Sequence, residues 1–130
     1  MTGPEWILLE TVLAVHQMLL AEHGGAPGIR DRALLESALN RARQRFEYAD
    51  DPSIFDLAAC YCHGLAANHP FVDGNKRVAL TTAAVFLEIN GFSLDAPEPE
   101  TALVIEGVAS GTVSEEDLSA WFREHAVPHG

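Results

Sequence analysis

From Trp6 to Leu20 the apolar residues Trp6, Leu9, Leu13 and Leu20, with their neighbours, recur at helical rather than alternating spacing, and Gly24-Gly25 ends the run. This predicts a first helix. The segment Gly24 to Asp31, GGAPGIRD, holds three glycines and a proline, a composition suited to a turn-rich connection or a short exposed flap. A second, amphipathic helix is expected after Asp31, with Ala33, Leu34, Ala38, Leu39 and Ala42 on its apolar face and Glu36, Arg41, Arg43 and Arg45 on the rest. Asp51-Pro52 breaks that pattern. Ser53, followed three residues later by Asp56, has the form of a helix start. The run from there to about Asn68 is rich in Ala, Leu, Cys and Tyr on most faces, which marks it as the central, largely buried helix.

After the polar Asp73-Gly74-Asn75 break, Val78, Leu80, Ala83, Ala84, Val85, Leu87 and Ile89 predict another strongly apolar helix that stops at Asn90-Gly91. Pro97 and Pro99 then interrupt the chain, a further helix is expected over Thr101 to Ala109, and a last one opens with Ser114-Glu115-Glu116-Asp117. That acidic first turn suits the helix dipole and reads as solvated. No internal repeat and no convincing strand is found. The expected fold class is all-α, a compact helical bundle around the central buried helix, with at most a short hairpin in Gly24 to Ile29 or Phe92 to Leu94.

The chain has 130 residues, 48% of them hydrophobic, enough to fill one core without disulfides or metal and consistent with a single domain over residues 1–130. Eight basic residues against nineteen acidic ones give a net charge of −11. Direct binding of nucleic acid, which relies on neutralising phosphates, is therefore not expected, whereas a basic protein partner would be electrostatically welcome. Cys60 and Cys62, one residue apart in an apolar stretch, match neither a zinc knuckle nor a CxxC pair and read as buried reduced thiols. His16, His23, His63, His125 and His129 show no metal-ligand spacing and are expected in surface, capping or core roles. The start of the chain carries no basic patch and its apolar run is broken by Glu10, His16 and Gln17, so neither a signal peptide nor a membrane span is expected, and the location implied is cytoplasmic.

Candidate chemistry is concentrated between two apolar helices, where His69, Asp73, Asn75, Lys76 and Arg77 fall within nine positions and Gly74 stands where the next helix would begin. A glycine-bearing turn entering a helix leaves backbone N–H groups unpaired at the positive end of the helix dipole, an anion site suited to phosphate. Lys76 and Arg77 add positive charge, Asn75 can hydrogen-bond a phosphate oxygen, and Asp73 is a hard ligand for magnesium bridging phosphates. His69 is the residue of the set whose ordinary pKa lies near neutrality, hence the candidate general base. Taken singly, a histidine at a helix end caps carbonyls and Asp-Gly-Asn is an ordinary turn. Base, metal ligand, glycine turn and two cations in one short segment instead read as a functional site.

The segment His69 to Leu80, HPFVDGNKRVAL, resembles the signature of the Fic/Doc superfamily, HPFx(D/E)GN(G/K)Rxx(R/L). Lys76 and Leu80 make it similar to the Doc (death-on-curing) branch, the toxin half of bacterial toxin–antitoxin pairs. The similarity extends to GGAPG at Gly24 to Gly28 and LLESALNR at Leu34 to Arg41, and so covers most of the chain.

By that resemblance His69 would deprotonate a target hydroxyl, Asp73 would ligate magnesium, and Gly74, Asn75, Lys76 and Arg77 would cradle the phosphates of ATP, with Phe71 buried to fix the loop. Lys76 stands where AMP-transferring relatives have glycine, and Leu80 where they have a second arginine for the γ-phosphate. The resemblance therefore implies a reversed nucleotide and phosphorylation, with AMP transfer or a non-catalytic protein-binding module as the alternatives. Self-inhibited relatives carry an (S/T)xxxE(G/N) helix, and no such segment occurs in this sequence. Inhibition is expected to come from a cognate antitoxin, which would be the DNA-binding partner, and the family suggests a translation factor such as elongation factor Tu as the target protein.

Overall fold

The organising element is α3, Ile54–Asn68, because nearly every face of it is apolar or small. Its start is fixed by a reciprocal capping box in which the Ser53 hydroxyl accepts the Asp56 N–H at 3.1 Å and the Asp56 carboxylate accepts the Ser53 N–H at 2.9 Å. Leu57 through Cys62 and Gly64 through Ala66 are buried. In a computed structural model that describes residues 3–129, α3 packs against three further helices, α2 (Arg32–Tyr48), α4 (Asn75–Ile89) and α6 (Glu115–His125), and also touches α5 (Glu98–Ser110). α1 (Leu9–His23) lies against α4. The all-α class holds: among the described residues a single hydrophobic cluster runs through the bundle, with Tyr61, Phe71, Phe86 and Phe122 its largest fully buried side chains.

Several boundaries differ from the sequence pattern, each for a local reason. α1 begins three residues later than expected, at Leu9, and buries Val12, Val15 and His16. Trp6 precedes the helix and packs edge-on against Phe46, with Arg43 over its face. On α2 the buried stripe is Leu35, Ala38, Leu39 and Ala42, the i, i+3, i+4, i+7 set, while Ala33 is exposed. α5 starts at Glu98, not Thr101, because Pro97 serves as its N-cap and Pro99 sits in the first turn, where a missing N–H costs nothing. Phe92–Leu94 (β1) does extend, but its partner is Ala126–Pro128 (β2) from the far end of the chain. Such an antiparallel pair is invisible to local patterning. The Gly24 to Ile29 region forms no hairpin of its own and makes one bridge, Ile29 with Phe71.

The acidic opening of α6 is solvated at Glu116 and Asp117, as expected, but not at Glu115. Glu115 is 9% exposed, paired with Arg41 at 2.6 Å and with Arg45, and it accepts the Cys60 thiol at 3.2 Å. Burial alone would raise its pKa, but the Cys60 thiol and the two guanidinium groups outweigh it and hold the carboxyl below its ordinary range. The same burial, with Glu115 beside it, pushes the Cys60 thiol up to about 11, and burial alone pushes Cys62 up to about 12. Both cysteines are free and buried, as expected. No helix among the described residues is long and apolar enough to cross a membrane.

Candidate functional site

α3 ends where the candidate site begins. His69 is its C-cap and adopts a left-handed conformation, φ 48°, ψ 55°, one of two non-glycine residues with positive φ among those described. That conformation is held by Arg30, which donates from Nε to the His69 carbonyl at 2.6 Å and from Nη2 to the Asn68 carbonyl at 2.8 Å, capping the helix end. The flap runs beside it: the N–H groups of Arg30 and Asp31 donate to the Pro70 carbonyl, and that of Val72 to the Gly28 carbonyl. The exposed His69 ring has no hydrogen-bond partner among the described residues. Its acceptor nitrogen is thus available for a substrate proton.

Phe71 is buried at 1% exposure, as expected for the residue that anchors the loop. The surprise is what anchors Phe71 itself. Asn75 Oδ1 accepts the Phe71 N–H at 2.9 Å, and Asn75 Nδ2 donates to the Phe71 carbonyl at 3.0 Å. The Asn75 side chain, expected on a phosphate oxygen, is instead engaged in clasping the loop; what it offers an anion is its backbone N–H. With those of Lys76 and Arg77, this amide precedes the first intrahelical bond of α4, Val78 N–H to Gly74 carbonyl, and the three have no acceptor among the described residues. Gly74, φ 81°, is the N-cap that lets the chain turn into the helix.

Asp73 faces the same opening. Its Oδ2 accepts the Ala26 N–H of the flap at 3.2 Å and its Oδ1 accepts the Gly74 N–H at 2.8 Å. A side chain at Gly25 would come within 2.9 Å of Asp73 Oδ2, and Gly25 has φ 120°, so only glycine lets the flap approach this carboxylate. An ionised carboxylate has about four lone-pair sites, so two remain for a cation. Lys76 bonds Glu106 of α5 at 2.5 Å, both side chains being largely exposed. Arg77 is exposed and makes no ion pair among the described residues.

These residues share one cavity of about 830 Å³ bounded by the motif loop and α4, by α1 through Leu19 and His23, and by α5 through Glu98, Thr101, Ala102, Ile105 and Glu106. The volume suits a nucleotide-sized ligand. Its lining combines anion donors at the α4 end with apolar surface from Leu19, Val72, Leu80 and Ile105. The structure thus gathers all six sequence-derived candidates, His69, Asp73, Gly74, Asn75, Lys76 and Arg77, around one opening.

A model of the Fic/DOC family matches residues 6–87, which span α1 through most of α4 and contain the whole motif loop. The chain belongs to the Fic/Doc family. It is 32% identical over 114 residues to the protein kinase doc of Escherichia phage P1, covering 88% of this chain and 90% of that protein. It is 43% identical over 74 residues to the toxin Doc of Mycolicibacterium smegmatis, covering 56% of this chain and 57% of that one. The Fic/Doc match ends at Leu87, so the α5 wall of the cavity lies outside it.

Sequence reasoning missed three residues that touch the motif segment: Arg30, His16, whose Nε2 lies 3.0 Å from the Asp73 carbonyl, and Glu106. Arg30 had no signal beyond its place in the flap. Glu106-Gly107 matches the end of the inhibitory pattern but has Ala102 where that pattern has Ser or Thr; its carboxylate nonetheless faces the motif lysine.

Proposed function

We propose that this protein is a Doc-type toxin that transfers the γ-phosphate of magnesium-bound ATP to a hydroxyl of a target protein. The observation that carries the reading is the pairing across one cavity of an unengaged His69 ring with the three unpaired amides that open α4. His69 takes the proton of the attacking hydroxyl, whose oxygen bonds to the γ-phosphorus as the bridging bond to ADP breaks. The amides of Asn75, Lys76 and Arg77 and the two cationic side chains face the phosphate oxygens as charge redistributes.

Asp73 fits magnesium: a single carboxylate with spare lone pairs, beside a phosphate cradle, is the protein share that this ion commonly takes. When bound, the ion would offset phosphate charge. That need is built into the lining, where Asp73, Glu98 and Glu106 outnumber Lys76 and Arg77. Leu80 supports γ- over α-phosphate transfer because it gives the cavity an apolar surface where a second arginine would hold a terminal phosphate. The names borne by the two relatives support toxicity, a cognate antitoxin as partner, and a kinase reaction. An antitoxin segment that folds on binding suits control of a site with no inhibitory helix of the usual pattern. A translation factor such as elongation factor Tu is the target class to test first.

The test is incubation of the purified protein with cell extract and ATP labelled at the γ- or the α-phosphate. Label should enter a protein from the γ position alone, and His69→Ala should abolish transfer with little change in melting temperature. Transfer from the α position alone would establish AMP transfer in its place.

A further inference from the structure

His16 is the buried polar residue of α1, 5% exposed on a stripe otherwise made by Val12 and Val15. Burying an imidazole costs free energy unless its polar atoms are used. One of them is: Nε2 lies 3.0 Å from the backbone carbonyl of Asp73. A carbonyl only accepts, so Nε2 carries the proton and donates. The ring is stacked on Phe71, centroids 3.9 Å apart and planes 21° apart, and its Cδ2 edge stands against Gly74, where an added side-chain carbon would meet it at 3.9 Å. His16 therefore touches the motif loop at Phe71, Asp73 and Gly74.

The contact with Asp73 has a directional consequence. In a trans peptide the C=O and N–H point to opposite sides. Anchoring the Asp73 carbonyl toward α1 turns the Gly74 N–H the other way, where Asp73 Oδ1 accepts it at 2.8 Å. The Asn75 clasp fixes the Phe71 end of the turn, and His16 fixes the orientation of the peptide that leads into α4. From these contacts we infer that His16 is a positioning residue of the phosphate-transfer site: through the Asp73–Gly74 peptide it sets the direction of the Asp73 carboxylate and the entry into the anion-binding end of α4. This rests on the transfer reaction proposed above for what the carboxylate does, but not for the contact itself.

Two variants of the full chain separate the ring from the donor. His16→Phe keeps a flat ring on Phe71 and removes the donor; His16→Gln carries an amide N–H near the place of Nε2 and removes the ring. In ligand-free protein the Gly74 amide order parameter, measured by nitrogen-15 relaxation, should fall from the rigid range near ~0.85 to below about 0.6 in the Phe variant and stay rigid in the Gln variant. With magnesium and ATP, the Phe variant should need several-fold more magnesium for half-maximal transfer and turn over about tenfold more slowly at saturation, the loss expected for one neutral hydrogen bond; the Gln variant should recover most of it.

A Phe variant with a rigid Gly74 and unchanged magnesium dependence would overturn the inference. So would a folded Gln variant as mobile at Gly74 as the Phe variant, and if the Phe variant does not fold, the Gln variant alone decides. Should the wild-type protein transfer no phosphate, the reaction fails while the Gly74 measurement still tests His16.

Discussion

Replacing Asn75 with alanine separates two roles for a residue at the centre of the motif. As a phosphate contact its side chain would matter to activity and little to stability; as the clasp seen here it matters to both. Asn75→Ala removes an acceptor from the Phe71 N–H and a donor from the Phe71 carbonyl, in a turn where Phe71 is 1% and Asn75 9% exposed. A buried backbone group left unsatisfied costs about 1–3 kcal/mol. With some relief from water entering at the open side of the loop, the two together should cost about 2–4 kcal/mol. At roughly 3–5 °C per kcal/mol for a chain of this size, the melting temperature should fall by roughly 6–20 °C. Displacement of the Asp73–Gly74 turn by an ångström should also reduce phosphate transfer by on the order of 100-fold. The control is Lys76→Ala, which removes an exposed side chain from the same helical turn and should change stability by no more than ~0.5 kcal/mol while weakening nucleotide binding. Thermal melts followed by circular dichroism, with transfer assays on the same samples, provide the comparison. An Asn75→Ala protein that melts within 2 °C of wild type yet has lost transfer would refute the clasp and return Asn75 to the ligand.

On the proposed reading, in which phosphate binds beside Lys76, its ion pair with Glu106 must open or be shared. Glu106→Gln should therefore tighten ATP binding about two- to fivefold, the range set by an exposed pair, as measured by titration calorimetry; unchanged or weaker binding would point to a direct ligand role for Glu106. Acid sensitivity should trace partly to Glu115, whose carboxyl lies below its ordinary value of 4.5 in the folded chain because the Cys60 thiol and the two arginines together outweigh burial. A depressed folded pKa means that the unfolded chain binds the proton first. The stabilisation is present above 4.5 and is lost as pH falls through the lower folded value. Glu115→Gln should melt lower at neutral pH, by an amount corresponding to about 1–3 kcal/mol with Arg41 and Arg45 still reachable by water, and should show a flatter melting-temperature profile below 4.5. A profile parallel to wild type would exclude Glu115 as a source of the acid response.

What the sequence determined by itself was the helical class, the central helix and the segment that holds the candidate site residues. These rest on short-range causes: the apolar period of α3, the Ser53–Asp56 and Ser114–Asp117 capping boxes, and a glycine turn before Lys76 and Arg77. The long-range contacts, around that segment and elsewhere in the bundle, were decided by tertiary structure, because the partners lie far apart in the chain. His16 meets Asp73 across 57 positions, Lys76 meets Glu106 across 30, and Glu115 meets Arg45 across 70. Local patterning treats a lone histidine in an apolar helix as core and an acidic helix start as solvated, since it knows the period of a face but not what the face touches. The Phe71–Asn75 clasp spans four residues and still escaped, because an asparagine in a turn offers the same atoms to a phosphate as to its own backbone, and only the folded loop selects between them.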